Sequence, residues 1–211
     1  MRFVVFGASG GTGQELLRQG VSQGHEVTAF VRDPKTVTGG DRLSVVVGDA
    51  LDSRAVALAV AGQAAVISAL GSRSLGDATL LPESMTHILS AMRQHRVRRL
   101  IVLGAAGAFP GADKNLALPS RILLKVIEAT FLRKPFQSQR AMQELVRMSD
   151  TDWTVVQPPR LLTVPAKGKY RVAEDALPAG GRQIARADVA AFMLEQLTSA
   201  EWVRKSPFVA W

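Results

Sequence analysis

Seven residues near the start of the chain, from Gly7 to Gly13, read G-A-S-G-G-T-G and separate two stiffer stretches. A short apolar run over residues 2–7 leads into them, and a helix-like run follows directly. Glycine permits a tight turn, lets the backbone approach a ligand, and allows a helix to pack closely on a strand. In this context the spacing G-x-x-G-x-x-G predicts a nucleotide-binding loop. A plain strand–helix turn is the less favoured alternative.

Phosphate groups are the natural ligands of such a loop. The first N–H groups of the following helix have no partner within the helix and carry a partial positive charge. Ser9 and Thr12 add hydroxyl donors. We therefore predict pyrophosphate binding by Gly7, Ser9, Gly10, Gly11, Thr12 and Gly13. The Lys-Ser/Thr pair of an ATPase loop does not follow Gly13, which argues against that class of loop.

The rest of the chain alternates short apolar runs with helical patterns. The runs are rich in β-branched residues and apolar nearly throughout, as strands buried on both faces are. Helical patterns include residues 82–95 and 187–197, each with one apolar face. The runs cover residues 2–7, 26–31, 43–49, 64–71, 99–106 and 153–158. This alternation predicts an α/β, Rossmann-like doubly wound parallel sheet with helices on both faces, in a single domain over residues 1–211.

The regular alternation of strands and helices is interrupted between residues 107 and 150. Two helical segments, 119–133 and 136–149, are predicted there, with Pro135 between them because proline is costly in a helix interior. An insertion after the fifth strand would lie near the carboxyl ends of the strands, where ligands bind. We predict that it forms part of the substrate side. A longer crossover without a role in binding is an equal alternative.

The second predicted strand ends F-V-R-D-P, which bears on the choice of cofactor. An acidic residue at this point selects NAD, whereas an arginine accommodates the 2′-phosphate of NADP. Arg32 occupies it, and a guanidinium pairs well with phosphate, so NADPH is favoured over NADH. The adjacent Asp33 either faces the ribose or caps the turn before Pro34.

Two further strand ends add candidate cofactor contacts. Asp49, followed by Ala50, either accepts a hydrogen bond from the adenine amino group or caps the next helix. After the fourth strand, Leu70 and Gly71 let the backbone pass the cofactor, and Arg73 adds a cation.

Composition excludes several other classes of protein. The net charge is +8, from 26 lysines and arginines against 18 acids. The densest basic cluster, residues 93–99, falls where a helix ends, so it complements the helix dipole and we expect no nucleic-acid partner. With no cysteine, disulfides and thiolate metal sites are excluded. No apolar run is long enough for a bilayer, and the N-terminal run is too short for a signal peptide, so a cytoplasmic protein is expected.

Several motifs in order resemble one family. They are F-G-A-S-G-G-T-G, V-R-D-P, V-V-V-G-D-A-L-D, I-S-A-L-G, D-W-T-V-V-Q-P-P-R-L, G-K-Y-R-V and A-D-V-A-A-F-M-L. Together they resemble the atypical short-chain dehydrogenase/reductases, and within them the NmrA-like, biliverdin-IXβ reductase and flavin reductase group. The resemblance implies a Rossmann fold, NADPH binding and often reduction of flavins, quinones or tetrapyrroles. Some relatives bind the cofactor without catalysis and act as redox sensors.

The chain departs from the family at positions that carry chemistry. Most short-chain dehydrogenases use Tyr-x-x-x-Lys, but Glu174 stands four residues after Tyr170, the single tyrosine. Ala105 and Arg160 stand where the flavin and biliverdin reductases have a serine and a histidine. The three histidines, His25, His87 and His95, are read as surface residues, and no His/Asp/Glu cluster has metal-ligand spacing.

These observations lead to two hypotheses. The first is an NADPH-dependent reductase that transfers hydride to a planar acceptor, either a flavin, a quinone or a tetrapyrrole-like molecule. Gly104, Ala105 and Ala106 would then form a small, apolar site under the nicotinamide, and Pro159 would also contact the cofactor. Arg160 would stabilise charge on the acceptor or bind an acceptor phosphate, or else pair with a surface acid. The second is a non-catalytic NADP(H)-binding redox sensor. The sequence does not decide between a monomer and a homodimer; the final S-P-F-V-A-W predicts an edge strand or a dimer contact.

Overall fold

Six parallel strands form the centre of the protein. The computed structural model describes residues 1–71, 78–108 and 133–211. Its central strands are β1 (Arg2–Phe6), β2 (Glu26–Val31), β3 (Leu43–Val47), β4 (Ala65–Ser68), β5 (Arg99–Leu103) and β6 (Asp152–Val156). They pair in the order β3-β2-β1-β4-β5-β6, all parallel. This is the order of a Rossmann sheet, and the predicted fold class is confirmed.

Helices cover both faces of the sheet. They are α1 (Gly11–Ser22), α2 (Ser53–Val60), α3 (Leu80–His95), α4 (Arg133–Met148) and α5 (Arg186–Glu195). α1 and α5 pack against each other on one face, where Val5 and Ile67 of the sheet meet Val189 of α5 in a buried cluster. α2, α3 and α4 cover the other face, where Val4 and Phe6 belong to the second cluster. Burial on both faces explains why the sequence runs are apolar without alternation, except at the edge strand β3, which is only partly buried.

The predicted strands are all present, but several end earlier than predicted. β4 ends at Ser68 and β5 at Leu103, whereas the apolar runs continue to residues 71 and 106. The small and apolar residues in these extensions belong to loops at the carboxyl edge of the sheet. A run of apolar residues therefore marks burial there, not strand pairing.

The segment after β5 is described only in part. Residues 119–132 of the first predicted helix lie outside the described residues. The second predicted helix is present as α4, but Pro135 lies in its first described turn instead of before it. The Nε of Arg140 donates to the carbonyl of Ala108 at 2.6 Å, which ties α4 to the loop after β5.

Two small sheets complete the described fold. β7 (Arg160–Leu162) pairs in parallel with β9 (Gln183–Ala185). β8 (Arg171–Ala173) pairs antiparallel with β10 (Phe208–Ala210). The C-terminal strand is therefore present, although it is bonded on both sides, to β8 and to Gln157 after β6. β7, β8 and β9 were not predicted, because three residues are too few to show a period.

Among the described residues, none of the helices is both long enough and apolar enough to cross a membrane.

Candidate cofactor-binding site

A cavity of about 310 Å³ lies beside the glycine-rich loop, at the carboxyl edge of the sheet. It opens where the strand order reverses between β1 and β4, the usual ligand position in a doubly wound sheet. Ligand pockets run from roughly 300 to 1,000 Å³, so this one has room for a part of a dinucleotide. The sequence-predicted residues that line it are Gly7, Ser9, Gly10, Arg32, Ala50, Leu70 and Gly71.

The glycines hold β1, α1 and the loop after β4 at very short distances from one another. Gly7 has a φ of +78°, and a Cβ there would lie 2.5 Å from the carbonyl oxygen of Ala69. A Cβ on Gly13 would collide with the carbonyl oxygen of Gly7. The N–H of Gly10 donates to that same oxygen at 3.0 Å, which closes the turn. The close approaches at Gly7 and Gly13 are possible only for residues without a side chain.

The start of α1 is left open to a ligand. Gly10 is its N-cap, and no side chain of the described residues caps the helix. Its first N–H groups therefore have no side-chain acceptor, which is the arrangement that binds anions. Ser9 is exposed in the cavity wall, whereas Thr12 is buried in the first turn of the helix.

Arg32 and Asp33 follow β2 and have different surroundings. Arg32 is exposed in the cavity wall, and no carboxylate of the described residues forms an ion pair with it. Asp33 caps the turn at Pro34–Thr36, where its Oδ1 accepts from the N–H of Lys35 at 2.9 Å. Of the two alternatives for Asp33, the structure contains the turn cap.

Asp49 does not cap the next helix, so that alternative was wrong. Its Oδ1 accepts from the N–H of Leu51 at 3.0 Å and forms a local turn. α2 begins at Ser53, and Asp52 caps it by accepting from the N–H of Arg54 at 2.9 Å. The sequence contains two aspartates near the helix start, and only the position of the first helical turn decides between them.

Four apolar side chains that line the cavity were not predicted: Phe30, Val31, Ala69 and Leu80. Phe30 and Leu80 are the largest of them. Phe30 precedes the end of β2, and Leu80 begins α3. Both are buried, and the ring of Phe30 packs against Gly48, where a Cβ would lie 2.8 Å from it. Phe30 stands one residue before the end of a strand and Leu80 at the start of a helix, and these positions could have indicated that both side chains lie at the site. They give the cavity apolar walls of the kind that a flat base or ring requires.

The residues predicted beside the nicotinamide lie farther along the same edge, after β5 and β6. The N–H of Gly104 donates to the carbonyl of Val156 at 2.8 Å, and that of Ala106 donates to the carbonyl of Pro158 at 2.9 Å. Gly104, Ala105 and Pro159 do not line the 310 Å³ cavity. Arg73 lies outside the described residues.

A buried amide pair lies beneath Gly104. The Nε2 of Gln157 donates to the Oε1 of Gln143 at 2.7 Å, and both side chains are fully enclosed. A Cβ on Gly104 would lie 2.6 Å from the Oε1 of Gln157. Sequence reasoning expected a small, apolar floor here and missed this polar pair. Gln157, a polar residue at the end of an apolar strand, was the signal.

Arg160 begins β7 and is exposed. No carboxylate of the described residues forms an ion pair with it. The surface ion pair considered as one of its alternatives is therefore absent from this part of the chain.

Titratable groups outside the cavity have structural partners. The hydroxyl of Tyr170 donates to Glu195 at 2.9 Å, and burial is the main cause that raises its pKa. His25 stacks edge-on against Phe3, and burial, followed by the nearby N-terminal charge, lowers its pKa. In the described ranges there is no group of three potential metal ligands.

Comparison with known proteins places the chain in a family. The model of a family described as NAD(P)H-binding matches residues 7–200. The chain belongs to this NAD(P)H-binding family. The match contains the glycine loop, the cavity and the predicted nicotinamide side.

Individual proteins are similar to this chain over nearly its whole length. YwnB of Bacillus subtilis strain 168, an uncharacterized protein, is 26% identical over 207 residues, covering 95% of this chain and 94% of its own. A short-chain dehydrogenase/reductase from Veillonella parvula, solved with NADP, has a TM-score of 0.80 at 19% identity, over 100% of this chain and 94% of its own. ChuY, an anaerobilin reductase from Escherichia coli O157:H7, has a TM-score of 0.80 at 21% identity, over 100% and 97%. At these identities the two structures establish the shared Rossmann-like fold.

The residues present fit the cofactor that the family implies. Gly7, Gly10 and Gly71 present bare backbone to the cavity, and a Cβ on Gly71 would meet no atom of the described residues within 4 Å. The uncapped start of α1 suits a pyrophosphate, and the apolar wall at Phe30 suits a base.

Proposed function

We propose that this protein is an NADPH-dependent reductase that transfers hydride to a planar acceptor, such as a flavin, a quinone or a tetrapyrrole. The observation that carries the proposal is the cavity beside the glycine loop, with Arg32 in its wall. Membership of the NAD(P)H-binding family supports the use of a nicotinamide cofactor.

The surroundings of Arg32 support NADPH over NADH. In NAD-selective sites an acidic side chain at the end of β2 accepts from the ribose 2′-hydroxyl. Here Asp33 is engaged with the N–H of Lys35, while Arg32 is exposed at the cavity. A guanidinium in this place binds a 2′-phosphate through charge-assisted hydrogen bonds.

A planar acceptor is supported by the small residues after β5. Gly104 and Ala105 offer backbone and a single methyl group where a ring would stack. The anaerobilin reductase ChuY shares the fold, and its name connects that fold with a tetrapyrrole acceptor. Arg160, exposed after Pro159, would stabilise negative charge that develops on the acceptor.

The protein contributes position and charge to the reaction. When bound, the reduced nicotinamide supplies hydride, that is, two electrons and one proton. Gly104 and Ala105 let the acceptor approach closely, and correct orientation accounts for much of the rate of such reactions. The second proton comes from water, since Gly104, Ala105 and Pro159 carry no acidic group. Reduction of a flavin or a quinone can take this proton from water, whereas reduction of a ketone is harder without an acidic group of the protein.

The test is oxidation of NADPH by the purified protein, with FMN, riboflavin, a benzoquinone and a bilin as acceptors and NADH as the comparison. Turnover with any acceptor, faster with NADPH, supports the reductase. Tight NADPH binding without turnover on all four acceptors would reject the reductase and favour the redox sensor. Binding of neither dinucleotide would reject both.

Arg32→Gln tests the selection of cofactor. We expect kcat/KM with NADPH to fall about 10-fold to 100-fold, because a charged hydrogen bond to phosphate contributes about 1.5–3 kcal/mol. The value with NADH should stay within about twofold of wild type. Arg54→Gln, an equally exposed arginine on α2, is the matched control for net charge. An equal loss with NADPH and NADH would contradict the role of Arg32 as the selector.

A further inference from the structure

A second arginine, Arg186, lies at the glycine loop, although it is far from that loop in the sequence. It is the first residue of α5, which packs against α1. A Cβ on Gly11, the first residue of α1, would lie 2.7 Å from both the Cδ and the Nε of Arg186. The arginine side chain therefore lies directly against the start of α1, in space that only a glycine at position 11 leaves open.

The position of this side chain is held by other contacts. The Nη1 of Arg186 donates to the Oγ1 of Thr163 at 3.2 Å, just after β7. Gln19 on α1 donates to the carbonyl of Ala187 at 2.9 Å, which joins α1 to the start of α5. Arg186 is half-buried, so its guanidinium is held near the loop.

The electrostatics of this arrangement call for an anion. Cations are stabilised at helix C-termini, whereas Arg186 lies at the positive ends of both α1 and α5. No carboxylate of the described residues forms an ion pair with it. Asp188, the acid in the first turn of α5, is engaged with the N–H groups of Lys167 and Gly168. A phosphate bound at the start of α1 would compensate the charge of Arg186 together with the partial positive charges at the N-termini of α1 and α5.

We infer that Arg186 binds the pyrophosphate of the cofactor from the side opposite Arg32. This inference rests on the proposed function. Arg32 would contact the 2′-phosphate, which only NADPH carries, while Arg186 would contact the diphosphate that NADPH and NADH share. One arginine then sets the choice of cofactor, and the other sets the affinity for both.

The experiment compares two variants with three ligands. Dissociation constants for NADPH, NADH and adenosine 2′-monophosphate are measured by calorimetry for wild type, Arg186→Gln and Arg32→Gln. We expect Arg186→Gln to weaken NADPH and NADH by the same factor, about tenfold or more, and to leave the diphosphate-free adenosine 2′-monophosphate unchanged. Arg32→Gln should weaken NADPH and adenosine 2′-monophosphate and spare NADH.

Each other outcome overturns the inference. Unchanged binding of both dinucleotides by Arg186→Gln would show that Arg186 makes no contact. A loss confined to NADPH would place Arg186 at the 2′-phosphate. An equal loss for adenosine 2′-monophosphate would indicate a general disturbance of the site. Wild-type protein that binds none of the three ligands would reject the proposed function itself, a result distinct from the others.

Two controls separate charge and folding from contact. Arg182→Gln removes an exposed arginine four residues earlier and should leave all three constants within about twofold of wild type. The dissociation constant for NADPH is also measured over a range of salt concentrations. Arg186→Gln should reduce its salt dependence, because one cation fewer contacts the phosphates. An unchanged salt dependence would count against the contact.

Discussion

At the residue scale, Tyr170 combines a partly buried ring with an acidic neighbour. Its ring packs edge-on against Phe192 of α5, and its hydroxyl donates to Glu195 on the same helix. Burial disfavours the phenolate, and the hydrogen bond and negative charge of Glu195 disfavour it further, so the pKa is raised. Its engagement with Glu195 shows a packing and bonding role for the tyrosine.

The titration of Tyr170 can be measured directly, because it is the single tyrosine of the chain. We expect its near-ultraviolet tyrosinate signal to appear well above the ordinary pKa of about 10. The native state then holds a proton that the unfolded state has lost. The free energy of unfolding therefore decreases as the pH rises above about 10 toward the raised pKa.

Glu195→Gln is the matched variant for this titration. The amide oxygen still accepts the hydrogen bond, but the negative charge is gone, so the pKa of Tyr170 should move back toward its ordinary value. A wild-type midpoint at or below about 10 would contradict the partly buried, Glu195-bonded position of the phenol.

At the element scale, the junction between β1 and α1 depends on one glycine. Gly13 is buried in the first turn of α1, and a Cβ there would also lie 2.7 Å from the Cα of Ala8. The obstructing atoms are backbone atoms of the loop, so a side chain cannot be accommodated by a rotamer change. α1 would have to move away from the end of β1, and the open N–H groups at its start would move with it.

Gly13→Ala should therefore destabilise the protein, although alanine is the better helix former. We expect the free energy of unfolding in urea to fall by about 3 kcal/mol, the scale of severe overpacking. Gly40→Ala is the control, because a Cβ there meets no atom within 4 Å, and it should change stability by less than about 0.5 kcal/mol. Equal stability of the two variants would show that the junction tolerates a side chain.

At the scale of the whole molecule, Asp188 joins parts of the chain that are distant in sequence. Its carboxylate is 1% exposed and accepts from the N–H groups of Lys167 and Gly168 and from the Nε1 of Trp211, the last at 2.8 Å. The ammonium of Lys167 lies 3.6 Å from the centre of the Trp211 ring. One buried acid thus holds the loop before β8, the end of the chain and the start of α5 together.

Asp188→Asn should weaken this connection. The amide replaces one acceptor oxygen with a donor, which leaves at least one of the three N–H donors without its acceptor. We expect a loss of about 2–4 kcal/mol in the free energy of unfolding. Asp41→Asn, an exposed aspartate, controls for the change in charge. A loss as small as that of the control would mean that Asp188 is not needed to hold these segments.

Much of this protein can be predicted from local patterns in its sequence. The six central strands follow from apolar runs, and the tight turn between β1 and α1 follows from glycines between a strand and a helix. These signals are readable because they depend on neighbours along the chain: burial on both faces makes a run apolar, and a close approach of backbones excludes side chains. The same apolar runs predicted β4 and β5 to be longer than they are, because the loop residues that follow each strand at the site are also small or apolar.

Other features depend on contacts that local patterns in the sequence do not reveal. The aspartates at positions 33 and 49 each had two possible roles. The first turns after β2 and β3 show Asp33 as a turn cap and exclude Asp49 as the cap of α2. The amide pair of Gln143 and Gln157 forms only because α4 packs beside β6. Arg186 reaches Gly11 only because α5 packs on α1.

The sequence alone therefore determined the fold class and the place of the glycine-rich loop, because both depend on short-range order along the chain. The tertiary structure alone decided which charged side chains face that loop. A charged residue has no preferred position within a pattern of apolar and polar residues, so its partner is known only when distant helices and strands are packed together.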